Sequence, residues 1–226
     1  MEHFIFNDVD SDNMNIIVKE MPPITRAAQR INTIKLEGRS GSLHEIEDKY
    51  DSYPSQIKCI LKPGADIDSI KAWLKGSGKL ILSTTPNVYY NVTIKNKIDF
   101  SKYLTYLREF PIQLEFQPIA YGNVEHSVSI TANSEETIEV EGTYKTYPIL
   151  EITGNGTITC NGKSIITKNS NTVIYVDCEL MNAYNGIQDM NSYVEGLEDP
   201  IFLNPGNNII TTIGVSVNVL YRGAWQ

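Results

Sequence analysis

The amino-acid sequence predicts a mainly β protein: an N-terminal β-sandwich or barrel-like domain with one short helix, followed by a second β-sandwich. Ile, Val, Thr and Tyr, which favour strands, are abundant throughout, and Tyr alone occurs 13 times. Asn, Gly and Pro interrupt the apolar runs at short intervals, as turns between short strands require. A single segment, after Pro63-Gly64, has the apolar spacing of a helix.

Strands are predicted in the first part of the chain wherever β-branched and aromatic runs lie between turn residues. They are Phe4–Phe6, Ile16–Val18, Ile31–Leu36, a strand near Ile57–Leu61, Lys79–Ser83, Tyr89–Ile94 and a strand that ends at Pro118. The last strand alternates strictly, with Phe110, Ile112, Leu114 and Phe116 on one face. It is therefore predicted to be half-buried. Pro111 indicates a sheet edge or a strand start, because proline has no N–H to donate.

The predicted helix begins after Asp66, which is suited to cap its first turn. Its apolar face consists of Ile67, Ile70, Trp73 and Leu74. Gly76 stands where a left-handed residue would end the helix. The "GSG" of residues 76–78 thus follows the helix, whereas glycines that bind phosphate precede one. We expect a structural corner here and no bound ligand.

The acidic turn after the first strand was tested as a calcium loop. Asp8, Asp10 and Asp12 occupy positions one, three and five of the twelve-residue pattern. However, Asn13 stands where glycine is required, and Lys19 stands where a bidentate glutamate is required. We interpret the segment as a turn.

The chain becomes polar over residues 122–136, "GNVEHSVSITANSEE", and we predict a boundary here between domains 1–134 and 135–226. Short strands at close spacing then indicate a sandwich. They are Thr137–Glu141, Ile149–Thr153, Thr157–Cys160, Ser164–Thr167, Thr172–Val176 and Ile209–Leu220, the last with a break near Gly214. The "GNG" at 154–156 and the "NG" at 161–162 predict hairpin turns.

Charge and cysteine content exclude several classes of protein. A formal net charge of −8 argues against binding to nucleic-acid phosphates. Cys59, Cys160 and Cys178 form no CxxC pattern, so we expect buried thiols rather than a zinc site or disulfides. We expect no secretory signal, because no basic segment precedes an apolar run, and no membrane span.

The sequence shows no catalytic constellation. His3, His44 and His126 lack ligand or triad spacing, and "HEIED" has Asp48 where HExxH needs its second histidine. "GRSGS" departs from GxSxG, and "GNGTIT" departs from GxGxxG. We therefore predict no enzyme, no cofactor and no metal site.

A lectin-like adhesion module that binds cell-surface glycan remains the alternative, because β-sandwiches often carry sugar sites. Such sites stack a sugar on an aromatic ring and hold its hydroxyls with polar groups. Tyrosines that offer such a ring are Tyr144, Tyr147, Tyr175, Tyr184, Tyr193 and Tyr221.

Several segments, in order, resemble the distal tail (Dit) proteins of long, non-contractile-tailed phages. In the first half they are "FIFNDVDSDNMNIIV", "IKLEGRSGSL", "IDSIKAWLKGSGKLILSTTPNVYY" and "FPIQLEFQPIAY". In the second half, "YPILEITGNGTITCNGKSI", "VIYVDCELMNAYN" and "PIFLNPGNNIITTIG" resemble the family's galectin-like sandwich. The chain departs from the pattern at Asp8, where glycine is common, at Thr84-Thr85, where Ser-Asp is common, and at Cys178, where serine is common.

The resemblance implies a structural protein of the virion tail tip, made in the bacterial cytoplasm. The N-terminal ring ("belt") domain would form a homohexamer with an axial channel, through which DNA passes without specific binding. The ring would join the tail tube and tape measure proteins to the tail-associated lysin or fibre hub. The galectin-like domain would project outward, where it holds a receptor-binding protein. At 226 residues, no room is left for an inserted carbohydrate-binding module.

For the ring interface we predict turns of the first domain. The residues are Gly38, Arg39, Gly41, Trp73, Gly76 and Gly78. The competing interpretation is that these residues only shape the subunit, with Trp73 and Leu74 packing the helix onto the sheet.

Overall fold

The structure, a computed structural model, describes residues 2–38, 40–95, 109–168 and 172–226. Over these residues the protein is mainly β with sandwich character, and the helix predicted after Asp66 is the one α-helix they contain. This confirms the predicted fold class. The chain divides into two compact units, one up to Ala120 together with Gln226, and one from Tyr121 to Trp225.

The first unit contains strands β1 to β9 and helix α1. Their bounds are β1 Phe4–Phe6, β2 Val9–Asp10, β3 Ile16–Glu20, β4 Gln29–Lys35, β5 Ser42–Tyr50, β6 Tyr53–Leu61, α1 Ile67–Trp73, β7 Ser77–Leu82, β8 Val88–Ile94 and β9 Glu109–Gly122. The main sheet has the strand order β2-β1-β7-β8-β9-β6-β3. Strands β4 and β5 pair only with each other in a separate two-stranded sheet.

The alternation predicted for β9 is confirmed. Phe110, Ile112, Leu114 and Phe116 are each at most 2% exposed and belong to the core of this unit. The strand does not end at Pro118, however, but continues to Gly122. Pro111 lies near the start of β9, as predicted, and pairs with Lys58 of β6.

Helix α1 has the predicted ends. The Asp66 carboxylate accepts hydrogen bonds from the backbone N–H groups of Asp68 (3.1 Å) and Ser69 (3.4 Å), which satisfies donors that the first turn leaves unpaired. Gly76 has a φ of 71°, the left-handed conformation that lets the chain leave the helix. Ile70 is fully buried, so the helix is held by its apolar face.

The N-terminal acidic segment is a pair of turns. Asn7 and Asp8 have φ values of 47° and 64° and form the two-residue loop between β1 and β2. Asp8 thus adopts a conformation that glycine enters more easily. The Asp10 carboxylate accepts the N–H of Asp12 at 2.9 Å, which is the geometry of a local turn.

The second unit contains strands β10 to β19 and a short 3₁₀ helix. Their bounds are β10 His126–Ile130, β11 Glu135–Val140, β12 Ile149–Cys160, β13 Lys163–Thr167, β14 Ile174–Asp177, β15 Asn182–Asn185, β16 Gln188–Asp189, the 3₁₀ helix Asn191–Tyr193, β17 Val194–Glu195, β18 Gly206–Tyr221 and β19 Ala224–Trp225. The main strand order is β10-β18-β12-β14-β15-β16, with β11 also on β18 and β13 between β12 and β17.

The "NG" turn prediction is confirmed. Asn161 and Gly162 have φ values of 48° and 75° and connect β12 to β13, where Cys160 pairs with Lys163. Both central residues are left-handed, which matches the twist of a two-residue hairpin.

The "GNG" hairpin prediction is wrong, because residues 149–160 form one strand. The register between β12 and β18 shifts between Gly154 and Thr157, so these glycines form a bulge rather than a turn. A Cβ on Gly156 would lie 2.0 Å from the carbonyl oxygen of Ile213. The break predicted near Gly214 does not interrupt β18, which runs from Gly206 to Tyr221, but Gly214 has a left-handed φ of 76° within the strand.

The polar segment 122–136 contributes to the second sheet. Within it, β10 pairs with the C-terminal part of β18, from His126 opposite Tyr221 to Ile130 opposite Val217. The two compact units meet in sequence at residues 120 and 121. The assignment of a ring domain and a galectin-like domain to residues 1–134 and 135–226 stays a prediction.

Candidate assembly surface

The β4–β5 hairpin carries large apolar side chains on its surface. Every residue of β4 is exposed. The exposed apolar residues of the hairpin are Ile31 (53%), Ile34 (37%), Leu36 (47%), Leu43 (52%) and Ile46 (63%). Buried residues of the same types in the main sheet are at most a few per cent exposed. We call these five residues the hairpin apolar set.

The hairpin apolar set occupies both faces of the hairpin. Ile31 is the register partner of Ile46, and Ile34 is the register partner of Leu43. Residues three apart in a strand point to opposite faces, so the two pairs lie on opposite sides. A two-stranded hairpin is at best marginally stable in water, and this one leaves apolar pairs uncovered on both sides. The arrangement indicates a surface that another protein covers.

Polar contacts hold the base of the hairpin. The Arg30 guanidinium donates to the Asp51 carboxylate at 2.7 and 3.1 Å, and this contact raises the pKa of Arg30 above its ordinary value. Gln29 donates its side-chain N–H to the carbonyl of Glu47 at 3.0 Å. These contacts join the two strands of the hairpin at its base.

The turn of the hairpin contains three of the predicted interface residues. Gly38 and Gly41 have φ values of 79° and 90°, so both need the freedom of glycine. A Cβ at either position would meet nothing within 4 Å, so neither glycine is required by close packing. Arg39, the third residue, lies outside the described residues.

Trp73 is positioned inside the subunit. Its indole N–H donates to the carbonyl oxygen of Phe6 at 2.8 Å. Its ring stacks on Phe4 with centroids 5.6 Å apart and planes 5° apart. Leu74 beside it is only 7% exposed. These contacts support the interpretation that Trp73 and Leu74 pack the helix onto the sheet.

Gly76 and Gly78 also have local structural roles. Gly76 has left-handed backbone two residues after Leu74, the C-cap of α1, and its carbonyl accepts the N–H of Ile94 at 2.9 Å. A Cβ on Gly78 would lie 2.0 Å from the side chain of Asn7, whose oxygen accepts the N–H of Lys79 at 3.0 Å. Gly76 lies between α1 and β7 and Gly78 lies on β7, whereas Gly38 and Gly41 lie in the β4–β5 turn.

Strand β5, and therefore the hairpin, was not predicted. The sequence predicts a strand at Ile31–Leu36 but none between residues 42 and 50. Leu43 and Ile46 are three residues apart, so they fit neither one-face strand alternation nor a longer helical stripe. The "GRSG" after Lys35 is the signal that indicates a turn back into a second strand.

The three cysteine thiols are free and buried. Burial raises the pKa of the Cys59 and Cys178 thiols to about 12 and that of Cys160 to about 11. No group of three or more metal-ligating side chains gathers among the described residues. None of the helices described there is long and apolar enough to cross a membrane.

Comparison with known proteins identifies the fold but no sequence family. No family model matches the chain, and no curated protein matches it. The solved structure of the SPP1 Dit protein (gp 19.1) is similar, with a TM-score of 0.73 over 100% of both chains and 13% sequence identity. That protein is described as a paradigm of the hub adsorption apparatus in phages that infect Gram-positive bacteria. The chain thus has a Dit-like fold along its whole length.

Proposed function

We propose that this protein is a structural subunit of a phage tail tip, located at the distal end of the tail in the virion. The observation that carries the proposal is the likeness to the SPP1 Dit hub protein over the full length of both chains. A partial match would leave one unit without a counterpart, whereas here both units are accounted for.

In the proposed role, six copies form a closed ring around an axial channel. The ring joins the tail tube and tape measure proteins to the tail-associated lysin or fibre hub. The galectin-like second unit faces outward, where it holds a receptor-binding protein. The net charge of −8 per chain favours passage of DNA through the channel over binding to its phosphates.

The hairpin apolar set provides the physical basis for assembly. Burying an Ile or Leu side chain contributes about 1.5–3 kcal/mol, and about half of each of these side chains is still exposed. Each residue therefore has roughly 1 kcal/mol to contribute when a neighbouring copy covers it. In a ring the hairpin of one subunit docks on a different surface of the next, which is a heterologous contact.

The predicted interface residues divide under this proposal. Gly38, Arg39 and Gly41 belong to the hairpin turn and keep a proposed place in the contact. Trp73, Gly76 and Gly78 have roles within the subunit. Their participation in the interface between subunits is a proposal.

Negative-stain electron microscopy and native mass spectrometry of the full chain test the proposal. We expect six-membered rings with a central hole, either from the chain alone or after mixing with its tail tube and hub partners. A stable monomer under both conditions would contradict it.

A further inference from the structure

The second unit presents a continuous row of polar and aromatic side chains. The row crosses β10, β18, β12, β14, β15 and β16, one residue per strand, and each residue is the register partner of the next. Residues paired across antiparallel strands share a face of the sheet. We call these residues the polar row: Ser129, Asn218, Glu151, Tyr175, Tyr184 and Asp189.

The polar row faces away from the core. Its strand neighbours Leu150, Ile152, Val217 and Val219 are at most 3% exposed, so the alternate positions point outward. Glu151, Asn218 and the two tyrosines are half-buried, and the row ends Ser129 and Asp189 are exposed.

This face differs from the other outward surface of the same unit. There, on the N-terminal part of β18, Ile209 and Ile213 are 54% and 63% exposed, and their register partners on β11 and β12 are Thr137 and Thr157. The residues of the polar row are therefore more polar than those on this other part of the unit's surface.

Side-chain contacts connect the middle of the row. Asn218 donates to one oxygen of the Glu151 carboxylate at 3.3 Å, and the Tyr175 hydroxyl donates to the other at 3.2 Å. On the far side, Ser127 donates to the Asn218 side-chain oxygen at 2.8 Å. The Glu151 carboxylate also raises the pKa of Tyr175, which keeps its hydroxyl protonated. The network holds these groups in fixed positions before any ligand arrives.

The tyrosines add apolar surface beside this network. Tyr175 and Tyr184 stack with ring centroids 5.7 Å apart and planes 17° apart. Aromatic rings with a polar tip combine an apolar body and a hydrogen-bonding group in one side chain. A sugar ring has the same combination, with an apolar C–H face and a rim of hydroxyl groups.

We propose that the polar row binds a neutral oligosaccharide. Sugar hydroxyls both donate and accept hydrogen bonds. The row offers acceptors in Glu151 and Asp189, and groups that both donate and accept in Asn218, Tyr184 and Ser129. With strands about 4.8 Å apart, the row spans about 24 Å, which suits a chain of several sugar rings rather than a single one.

Charge selects a neutral ligand over an anionic one. The row contains two carboxylates and neither Lys nor Arg. Asp177, paired with Ile149 next to Glu151, adds a third carboxylate on the same face. A polymer of phosphates or sulfates would be repelled there, whereas neutral hydroxyl groups donate to these carboxylates. The inference goes beyond the assembly role and does not depend on whether the chain forms a ring.

Isothermal titration of the full chain with defined probes tests the inference. The probes are neutral hexasaccharides of glucose, galactose, rhamnose and N-acetylglucosamine, with a heparin hexasaccharide and hexalysine as charged comparisons. The variants Glu151→Gln and Tyr184→Ala alter the row in two different ways. Glu139→Gln, on the exposed side of β11, is the matched control.

We expect at least one neutral hexasaccharide to bind, and Glu151→Gln to weaken it about tenfold or more, because a hydrogen bond to a charged group is lost. Tyr184→Ala should also weaken binding, and Glu139→Gln should leave it unchanged. The unfolding midpoint of each variant shows that the fold is intact. The inference would be overturned by absence of neutral binding at millimolar concentration, by binding of the charged probes alone, or by row variants that bind as tightly as the unmodified chain.

Discussion

Removing apolar surface from one face of the β4–β5 hairpin should prevent ring assembly without unfolding the subunit. The double variant Ile31→Thr and Ile46→Thr makes this change on a single cross-strand pair. Threonine keeps the β-branch that favours strands, so the hairpin itself should persist. The variant therefore separates assembly from folding.

The expected magnitude follows from the exposure of the two side chains. Each Ile→Thr exchange removes the equivalent of about two methylene groups, worth about 0.8 kcal/mol each when fully buried. Ile31 and Ile46 are 53% and 63% exposed, so this fraction of the surface remains for a partner to cover. The pair together then loses about 2 kcal/mol per contact, which weakens each contact roughly 30-fold. A closed ring loses this amount at every contact.

Mass photometry across a dilution series measures the effect. Under the proposed ring assembly, we expect the variant to dissociate at concentrations where the unmodified chain stays assembled. Both should keep the same strand content by circular dichroism below their unfolding transitions, because exposed positions contribute little to folding of the subunit. Ile187→Thr is the matched control, since Ile187 is an exposed isoleucine that lies on the β15–β16 turn of the second unit. Unchanged ring formation by the double variant would show that the hairpin is not the contact.

Three further outcomes are expected. Gly156→Ala should lower the free energy of unfolding by roughly 2–4 kcal/mol in urea titration, because its Cβ would lie 2.0 Å from a backbone carbonyl oxygen of β18. Asp66→Ala should lower the thermal midpoint by removing the helix cap. Hydrogen bonds from Ser69 lower the pKa of Asp66, so its contribution is present above the unfolded pKa and is lost as the pH falls through the lower folded pKa. Burial raises the pKa of Cys59 and Cys178 to about 12, so both thiols should react with an aromatic disulfide far more slowly in the native protein than in denaturant at pH 8.

Matched variants make these expectations specific. Gly162→Ala, where a Cβ meets nothing within 4 Å, should cost only the strain of the left-handed backbone, about 1–2 kcal/mol. Asp66→Asn keeps a capping side chain that does not titrate. The difference in thermal midpoint between this variant and the unmodified chain should therefore become smaller at acidic pH. Fast native labelling of Cys59 would contradict its burial, and equal unfolding curves for the two glycine variants would contradict the close approach at Gly156.

Local signals in the sequence were sufficient where one residue determines a short-range structure. Asp66 caps α1 through the two N–H groups that follow it. The Asn161-Gly162 turn needs only its own backbone conformation. The alternation from Phe110 to Phe116 follows from one buried face. In each case the physical cause lies within a few residues of its effect.

Distant contacts determine the features that the sequence did not reveal. Gly154 and Gly156 resemble a hairpin turn, but the approach of β18 makes them a bulge in a continuous strand. Strand β5 has no buried face to impose alternation, because both faces of its hairpin are open in the subunit. The polar row exists only because six strands pair in a particular register. No local sequence pattern predicts that pairing.

The two long strands of the second unit have a consequence for how that unit opens. The first part of β12 pairs with β14 and the last part with β13, and β18 likewise pairs with β10 at one end and β11 at the other. Neither part of the curled sheet can separate without breaking the ladder between β12 and β18. Native-state hydrogen exchange should therefore show one cooperative opening, in which amides of β11, β13 and β14 share a single protection free energy.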